Sequence, residues 1–103
     1  MIDPVDIAIS QFEKIGYKIL TRATGTQNGP DLHIQKDDII FRVEVKKARP
    51  CKRSMAVHPV EDNRIVDDLI AIVFPSGYVL IEPMKDHLKC CAESGSRSFF
   101  GIY

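Results

Sequence analysis

Two acidic residues and a lysine stand at a spacing that favours metal-assisted hydrolysis. Asp31 follows a Gly-Pro turn in the stretch "GPDLHIQKDDIIFRVEVKKARP", and Glu44 and Lys46 end the run that starts at Ile39. Mg²⁺ binds carboxylate and carbonyl oxygens, and a bound cation activates water and neutralises charge on a phosphate. A lysine beside such a ligand orients or deprotonates the attacking water, or offsets charge in the transition state. If the three side chains converge, they predict phosphodiester hydrolysis.

The strand that carries Glu44 and Lys46 is the element that positions them. Its residues alternate between apolar and charged, with Ile39, Phe41, Val43 and Val45 on one face and Arg42, Glu44 and Lys46 on the other. Glu44 and Lys46 therefore project to the same side, about 6 to 7 Å apart. Val45 turns its side chain to the core, and its carbonyl is a possible third ligand. If the strand that begins at Asp31 pairs with this strand through a hairpin, Asp31 lies near Glu44.

A second interpretation explains the same residues without chemistry. Arg42, Glu44 and Lys46 form a solvated strand face with a cross-strand ion pair, and Asp31 is a turn residue. The two interpretations differ in whether Asp31 and Glu44 lie on one face.

The other elements follow from periodicity and from turn formers. Asp3 and Pro4 begin a helix with apolar residues at helical spacing, and Gly16 ends it. Strands are predicted at "YKILTRA", residues 31–35, residues 39–46, "DLIAIVF" and "YVLIEP". A Pro-containing basic loop, a short helix over residues 60–66, a last helix at "MKDHLKCC" and a tail over residues 93–103 complete the chain. The order αβββ(α)ββα predicts a single small α/β or α+β domain over residues 1–103.

Charge and composition exclude several classes of protein. With 14 basic and 14 acidic residues the net charge is zero, so the chain as a whole is no polycation for nucleic acid. A local basic cluster is nevertheless present, and it is either a solvated face or a set of phosphate contacts from Lys47, Arg49, Lys52 and Arg53. The longest apolar run is too short to cross a bilayer, and the three cysteines form no metal-binding pair. We therefore expect reduced thiols, a cytoplasmic location and no small-molecule cofactor.

The motif and its surroundings resemble the PD-(D/E)XK nuclease superfamily. Pro30-Asp31 stands as "PD" and Glu44-Val45-Lys46 as "EVK". The stretch "FEKIGYKILTRATGTQNGPDLHIQKDDIIFRVEVKKA" is similar to the front half of archaeal Holliday-junction resolvases. "DDLIAIVFPSGYVLIEP" is similar to the later strand pair of resolvase-like and small homing-endonuclease-like members.

The resemblance implies a three-layer restriction-endonuclease-like core, in which helices flank a mixed β-sheet. It also implies DNA cleavage that depends on Mg²⁺ or Mn²⁺, and often a homodimer. By motif position, the catalytic residues are Asp31, Glu44 and Lys46, and the metal ligands are Asp31, Glu44 and the Val45 carbonyl. A non-catalytic module that keeps the nuclease fold and binds nucleic acid or a protein is the alternative.

The sequence departs from the resolvases in two places. Many of them carry a glutamate early in the first helix, where this chain has Val5 with Asp6 adjacent, and Glu13 lies nearer the helix end. The segment between Lys46 and Leu69 is short for the long helix of the resolvases. A nicking or general DNA endonuclease is therefore expected in place of a four-way-junction enzyme.

Overall fold

The computed structural model describes residues 3–23, 30–51, 54–57, 67–94 and 97–100. Within these residues a five-stranded sheet has the order β1-β2-β3-β6-β7, and a three-stranded sheet has the order β4-β5-β8. The two helices are α1 (Pro4–Lys14) and α2 (Met84–Ser94). The strands are β1 (Lys18–Arg22), β2 (Leu32–Lys36), β3 (Ile39–Lys47), β4 (Arg49–Cys51), β5 (Ser54–Val57), β6 (Leu69–Val73), β7 (Val79–Pro83) and β8 (Arg97–Phe100).

Helix α1 forms where the sequence predicts it, for the predicted reasons. The Asp3 carboxylate accepts a hydrogen bond from the Val5 N–H at 2.8 Å, and Pro4 occupies the first turn, where its missing N–H costs nothing. Ala8 and Phe12 are fully buried and face the sheet. Gly16 ends the helix with φ of +95°, a conformation that glycine adopts without strain.

The five-stranded sheet is mixed, because one of its four pairings is parallel. Strands β1, β2 and β3 pair antiparallel, β3 pairs parallel with β6, and β6 pairs antiparallel with β7. A tight turn at Asp37, where φ is +56°, joins β2 to β3. Strand β6 is buried on both sides, as its unbroken apolar run predicts.

The sheet has a packed core on each face, which gives the molecule three layers. One core joins α1 to residues such as Leu32, Val43 and Val73. The other core joins α2 and the small sheet to Ile70, Ile72 and Phe74. These layers confirm the predicted α+β domain with a mixed sheet flanked by helices. Ile39, which we placed on the core face, is 58% exposed because it adjoins the turn.

The basic segment after β3 is not the loop that we expected. Strands β4 and β5 form a hairpin there, and β8 in the predicted tail pairs with β5. The tail is anchored by Phe99, whose ring packs edge-on against Phe74 at 5.2 Å between centroids. The predicted helix over residues 60–66 lies outside the described residues. In the part of the chain that the structure describes, neither helix is long and apolar enough to cross a membrane.

Candidate active site

Asp31 directly precedes β2, next to the part of β3 that carries Glu44. Leu32 pairs with Val43, so continuing this antiparallel register by one residue sets the backbone of Asp31 opposite that of Glu44. The backbone N–H of Val45 donates a hydrogen bond to Oδ2 of Asp31 at 2.8 Å. The structure therefore brings Asp31 against the segment that carries Glu44 and Lys46.

The part of the face that carries Glu44 is not solvated. Glu44 is only 7% exposed, and Lys46 is half-buried. Their neighbours on β6 are Ile70 and Ile72, which belong to the core under α2. Burying a carboxylate is costly unless its surroundings compensate the charge. Glu44 and Lys46 thus differ from the solvated face of the second interpretation, whereas Arg42 on the same face matches it, because it is exposed and forms an ion pair with Asp68 at 3.3 Å.

A row of polar side chains runs beside the two carboxylates. Thr21, His33 and Arg42 are register partners across β1, β2 and β3. Oγ1 of Thr21 lies 2.7 Å from Nδ1 of His33. Oδ2 of Asp68 accepts hydrogen bonds from the backbone N–H of Arg42 at 2.8 Å and from its Nε at 3.3 Å. Burial raises the pKa of Asp68, but these bonds and the charge of Arg42 outweigh it, so the pKa lies below its ordinary value.

A buried histidine on α2 faces the lysine side of the site. His87 is fully buried, with Nδ1 3.8 Å from Oε1 of Glu82 and Nε2 3.6 Å from Sγ of Cys91. Glu82 favours the charged imidazole, but burial and the positive charge of Lys46 lower the pKa of His87. Burial, aided by neighbouring Cys90, raises the pKa of Cys91, so its thiol is protonated and unreactive.

His87 predicts that stability falls in mild acid. Its pKa is near 6.5 in the unfolded chain and lower in the folded one, so below about pH 6.5 the unfolded state binds the proton first. We expect the free energy of unfolding in urea to fall as pH falls from about 7.5 to about 5.5. His87→Gln should flatten this dependence, whereas Leu88→Met, a change without a titratable group on the same helix, should keep it. An equal slope in wild type and His87→Gln would contradict the prediction.

The donor set at Asp31 and Glu44 fits a hard divalent ion. Two carboxylates and the Val45 carbonyl are oxygen ligands of the kind that Mg²⁺ and Mn²⁺ accept, with water completing the shell. Among the described residues, no three histidine, cysteine, aspartate or glutamate side chains converge into a metal-holding cluster. A site made of two carboxylates and a backbone oxygen has only two such side chains. It contains no thiolate or imidazole ligand.

Two acids at the start of α1 pair with Arg22 of β1. Asp6 forms an ion pair with Nη1 of Arg22, and Asp3 lies 3.2 Å from Nη2 of the same guanidinium. Arg22 is the register partner of Leu32, so the Asp6–Arg22 pair adjoins the end of β2 that leads to Asp31. Glu13 is exposed near the helix end, as expected of a solvated flank.

The basic residues are only partly described. Lys47 is exposed and alternates to the α1 side of the sheet, away from Lys46, where it lines a cavity of about 520 Å³ with Pro4, Ile7 and other residues. Arg49 is exposed on β4. Lys52 and Arg53 lie outside the described residues. The structure therefore does not test whether the four basic residues lie near the carboxylates.

Sequence reasoning missed the residues that surround the motif. His33 is two positions after Asp31 on the same strand, so alternation alone was sufficient to place it on the same face. Asp68 and His87 gave no local signal, because they are distant in sequence from β3. The hydrogen bond from Arg42 to Asp68 spans 26 positions, and the electrostatic effect of Lys46 on His87 spans 41.

Comparison with known proteins supports the fold. No family model and no curated protein matches the chain. A solved structure of a bacterial homing endonuclease, I-Ssp6803I, is similar with a TM-score of 0.76 and 16% sequence identity. The similarity covers 97% of this chain and 72% of the homing endonuclease. The chain therefore has a small α+β nuclease-like fold.

Proposed function

We propose that this chain is a PD-(D/E)XK-type endonuclease that hydrolyses DNA phosphodiester bonds with Mg²⁺ or Mn²⁺. The observation that carries the proposal is the 2.8 Å hydrogen bond from the Val45 N–H to Asp31. This bond holds one acid at the segment that carries Glu44 and Lys46. The fold shared with a homing endonuclease supports the same conclusion. A nicking activity falls within this class.

Each residue of the proposed site has a separate task. Oδ2 of Asp31 is oriented by the Val45 N–H, and we assign Oδ1 of Asp31, the Glu44 carboxylate and the Val45 carbonyl to the ion. When bound, the ion supplies an activated water and offsets negative charge on the phosphate. The ammonium of Lys46 orients the attacking water and stabilises charge that develops on the phosphate oxygens.

The buried surroundings strengthen the interactions of Glu44 and Lys46. Charges act over a lower effective dielectric when water is excluded, so an ammonium at this position attracts a phosphate more strongly than on an open surface. His87 is neutral at ordinary pH because burial and Lys46 lower its pKa.

Binding of DNA is assigned to the basic residues at the end of β3 and in the segment that follows it. Lys47, Arg49, Lys52 and Arg53 are proposed to contact phosphates, on the ground of charge alone. A homodimer belongs to the same proposal and rests on the resemblance alone.

Plasmid cleavage tests the proposal directly. Purified protein is expected to convert supercoiled plasmid into nicked or linear DNA with Mg²⁺ or Mn²⁺, and to leave it intact with EDTA. Single-stranded and branched DNA, assayed in parallel, distinguish a general nuclease from a structure-selective one. DNA binding that is indifferent to divalent metal, without cleavage of any of these substrates, would overturn the proposal in favour of a binding module.

A further inference from the structure

The row formed by Thr21, His33 and Arg42 lies on the face of the sheet that carries Glu44. His33 follows Asp31 by two positions, which is about 6.6 to 7 Å along the chain. Arg42 precedes Glu44 by the same interval and is the register partner of His33. The row therefore runs parallel to the Asp31–Glu44 pair, one step along β2 and β3.

This half of the face is open among the described residues. Helix α2 packs over β6 and β7, near the edge of the sheet that lies opposite β1. Thr21 and Arg42 are exposed, and Ile40 in the following row is 55% exposed. Glu44 lies at the border between the open and the covered halves. A DNA strand that reaches the carboxylates from this side has to pass over the row.

The side chains of the row are oriented by hydrogen bonds. Thr21 Oγ1 lies 2.7 Å from Nδ1 of His33, which fixes the ring, and either atom can be the donor, depending on the tautomer. A phosphate contact by the neutral ring uses the tautomer in which the hydroxyl donates to Nδ1, because the ring proton is then on Nε2 and can be donated to a phosphate oxygen. The guanidinium of Arg42 is oriented by Asp68 through Nε at 3.3 Å and Nη2 at 3.5 Å. Arginine has five N–H donors, so this contact does not exhaust them.

We propose that His33 and Arg42 bind the phosphate next to the one that is cleaved. This assignment rests on the proposed nuclease function and deepens it. Phosphate oxygens accept hydrogen bonds from imidazole and guanidinium donors, and such contacts set the register of a protein on DNA. A contact one step from the carboxylates would hold the scissile phosphate over Asp31 and Glu44. The hydrogen bond from Thr21 has a positioning role, because it acts through His33.

Kinetics and binding of four variants test the proposal. His33→Ala and Arg42→Gln remove the proposed contacts, Thr21→Val removes the orienting hydroxyl, and Gln35→Ala is the matched control. Gln35 lies on the same strand and face as His33, one step further from Asp31. Cleavage of a short DNA duplex gives kcat and KM with Mg²⁺, and fluorescence anisotropy of the labelled duplex gives Kd with Ca²⁺ in its place.

We expect a loss of affinity with little loss of turnover. His33→Ala should raise KM and Kd about 10-fold, the value of one hydrogen bond to a charged group, with kcat changed less than about threefold. Thr21→Val should have a smaller effect of the same kind. Arg42→Gln should also lower the slope of log Kd against log salt by about 0.9, since one cationic phosphate contact is lost. Gln35→Ala should match the wild type.

Two results overturn the inference, and they differ from failure of the proposed function. If the wild type cleaves DNA and His33→Ala keeps the wild-type KM and Kd, His33 does not bind the substrate. If Thr21→Val lowers the melting temperature and leaves KM unchanged, the Thr21–His33 hydrogen bond only stabilises the pairing of β1 with β2. If the wild type shows no metal-dependent cleavage, the proposed function fails and this inference fails with it.

Discussion

Replacing Glu44 by glutamine is expected to lower kcat for DNA cleavage by about 10³-fold, and Lys46→Met by a similar factor. Glutamine keeps the shape of the buried side chain, which is 7% exposed, and removes the charge that we assign to the metal ion. Methionine keeps most of the lysine stem and removes the ammonium. Initial rates of plasmid cleavage in Mg²⁺ measure both effects.

Matched controls separate chemistry from folding. Glu13→Gln and Lys85→Met make the same chemical changes at exposed helix positions, and both should cleave within about threefold of the wild type. Circular dichroism and the melting temperature should show that the Glu44 and Lys46 variants remain folded. Rates within tenfold of the wild type in both site variants would exclude this site as the catalytic one.

Replacing Phe12 by alanine is expected to lower the free energy of unfolding by about 3 to 5 kcal/mol. Phe12 is fully buried between α1 and the sheet, with its ring edge-on to Tyr17 at 5.5 Å between centroids. The loss has two parts, which are the free energy gained when the ring is buried away from water and the cost of the cavity that its removal leaves. Since small domains have only about 5 to 15 kcal/mol of stability, this change removes a large part of it.

Urea denaturation measures this effect, and the same helix supplies the control. Ile15 is 43% exposed at the helix end, so Ile15→Ala should change stability by much less, about 0.5 kcal/mol. Equal losses in the two variants would contradict the packing of α1 on the sheet. A loss below about 1 kcal/mol for Phe12→Ala would do the same.

The part of the candidate site that is local in sequence was predictable. Alternation along β3 places Glu44 and Lys46 on one side, and the short turn after β2 places Asp31 near them. The burial of Glu44 was not predictable from this pattern. It depends on β6 and α2, which are distant in sequence and reach the site only through tertiary packing.

The small sheet escaped prediction for a different reason. Pro50 and its basic neighbours are typical of a loop, yet Pro50 lies in β4, an edge strand of its sheet. Proline is tolerated on an edge, because no neighbouring strand requires its missing N–H there. The third strand, β8, begins 40 positions after the end of β5, so no local pattern indicates its pairing with β5.

The β2–β3 hairpin implies an order in which the parts of the site assemble. Closing a short turn brings Asp31 and Glu44 together with little loss of chain entropy, whereas the parallel pairing of β3 with β6 must bridge a much longer loop. The carboxylate pair can therefore form while still hydrated, and the later arrival of β6 and α2 removes water from Glu44. The proposed nuclease activity is thus expected only after β6 has paired with β3 and α2 has packed over β6.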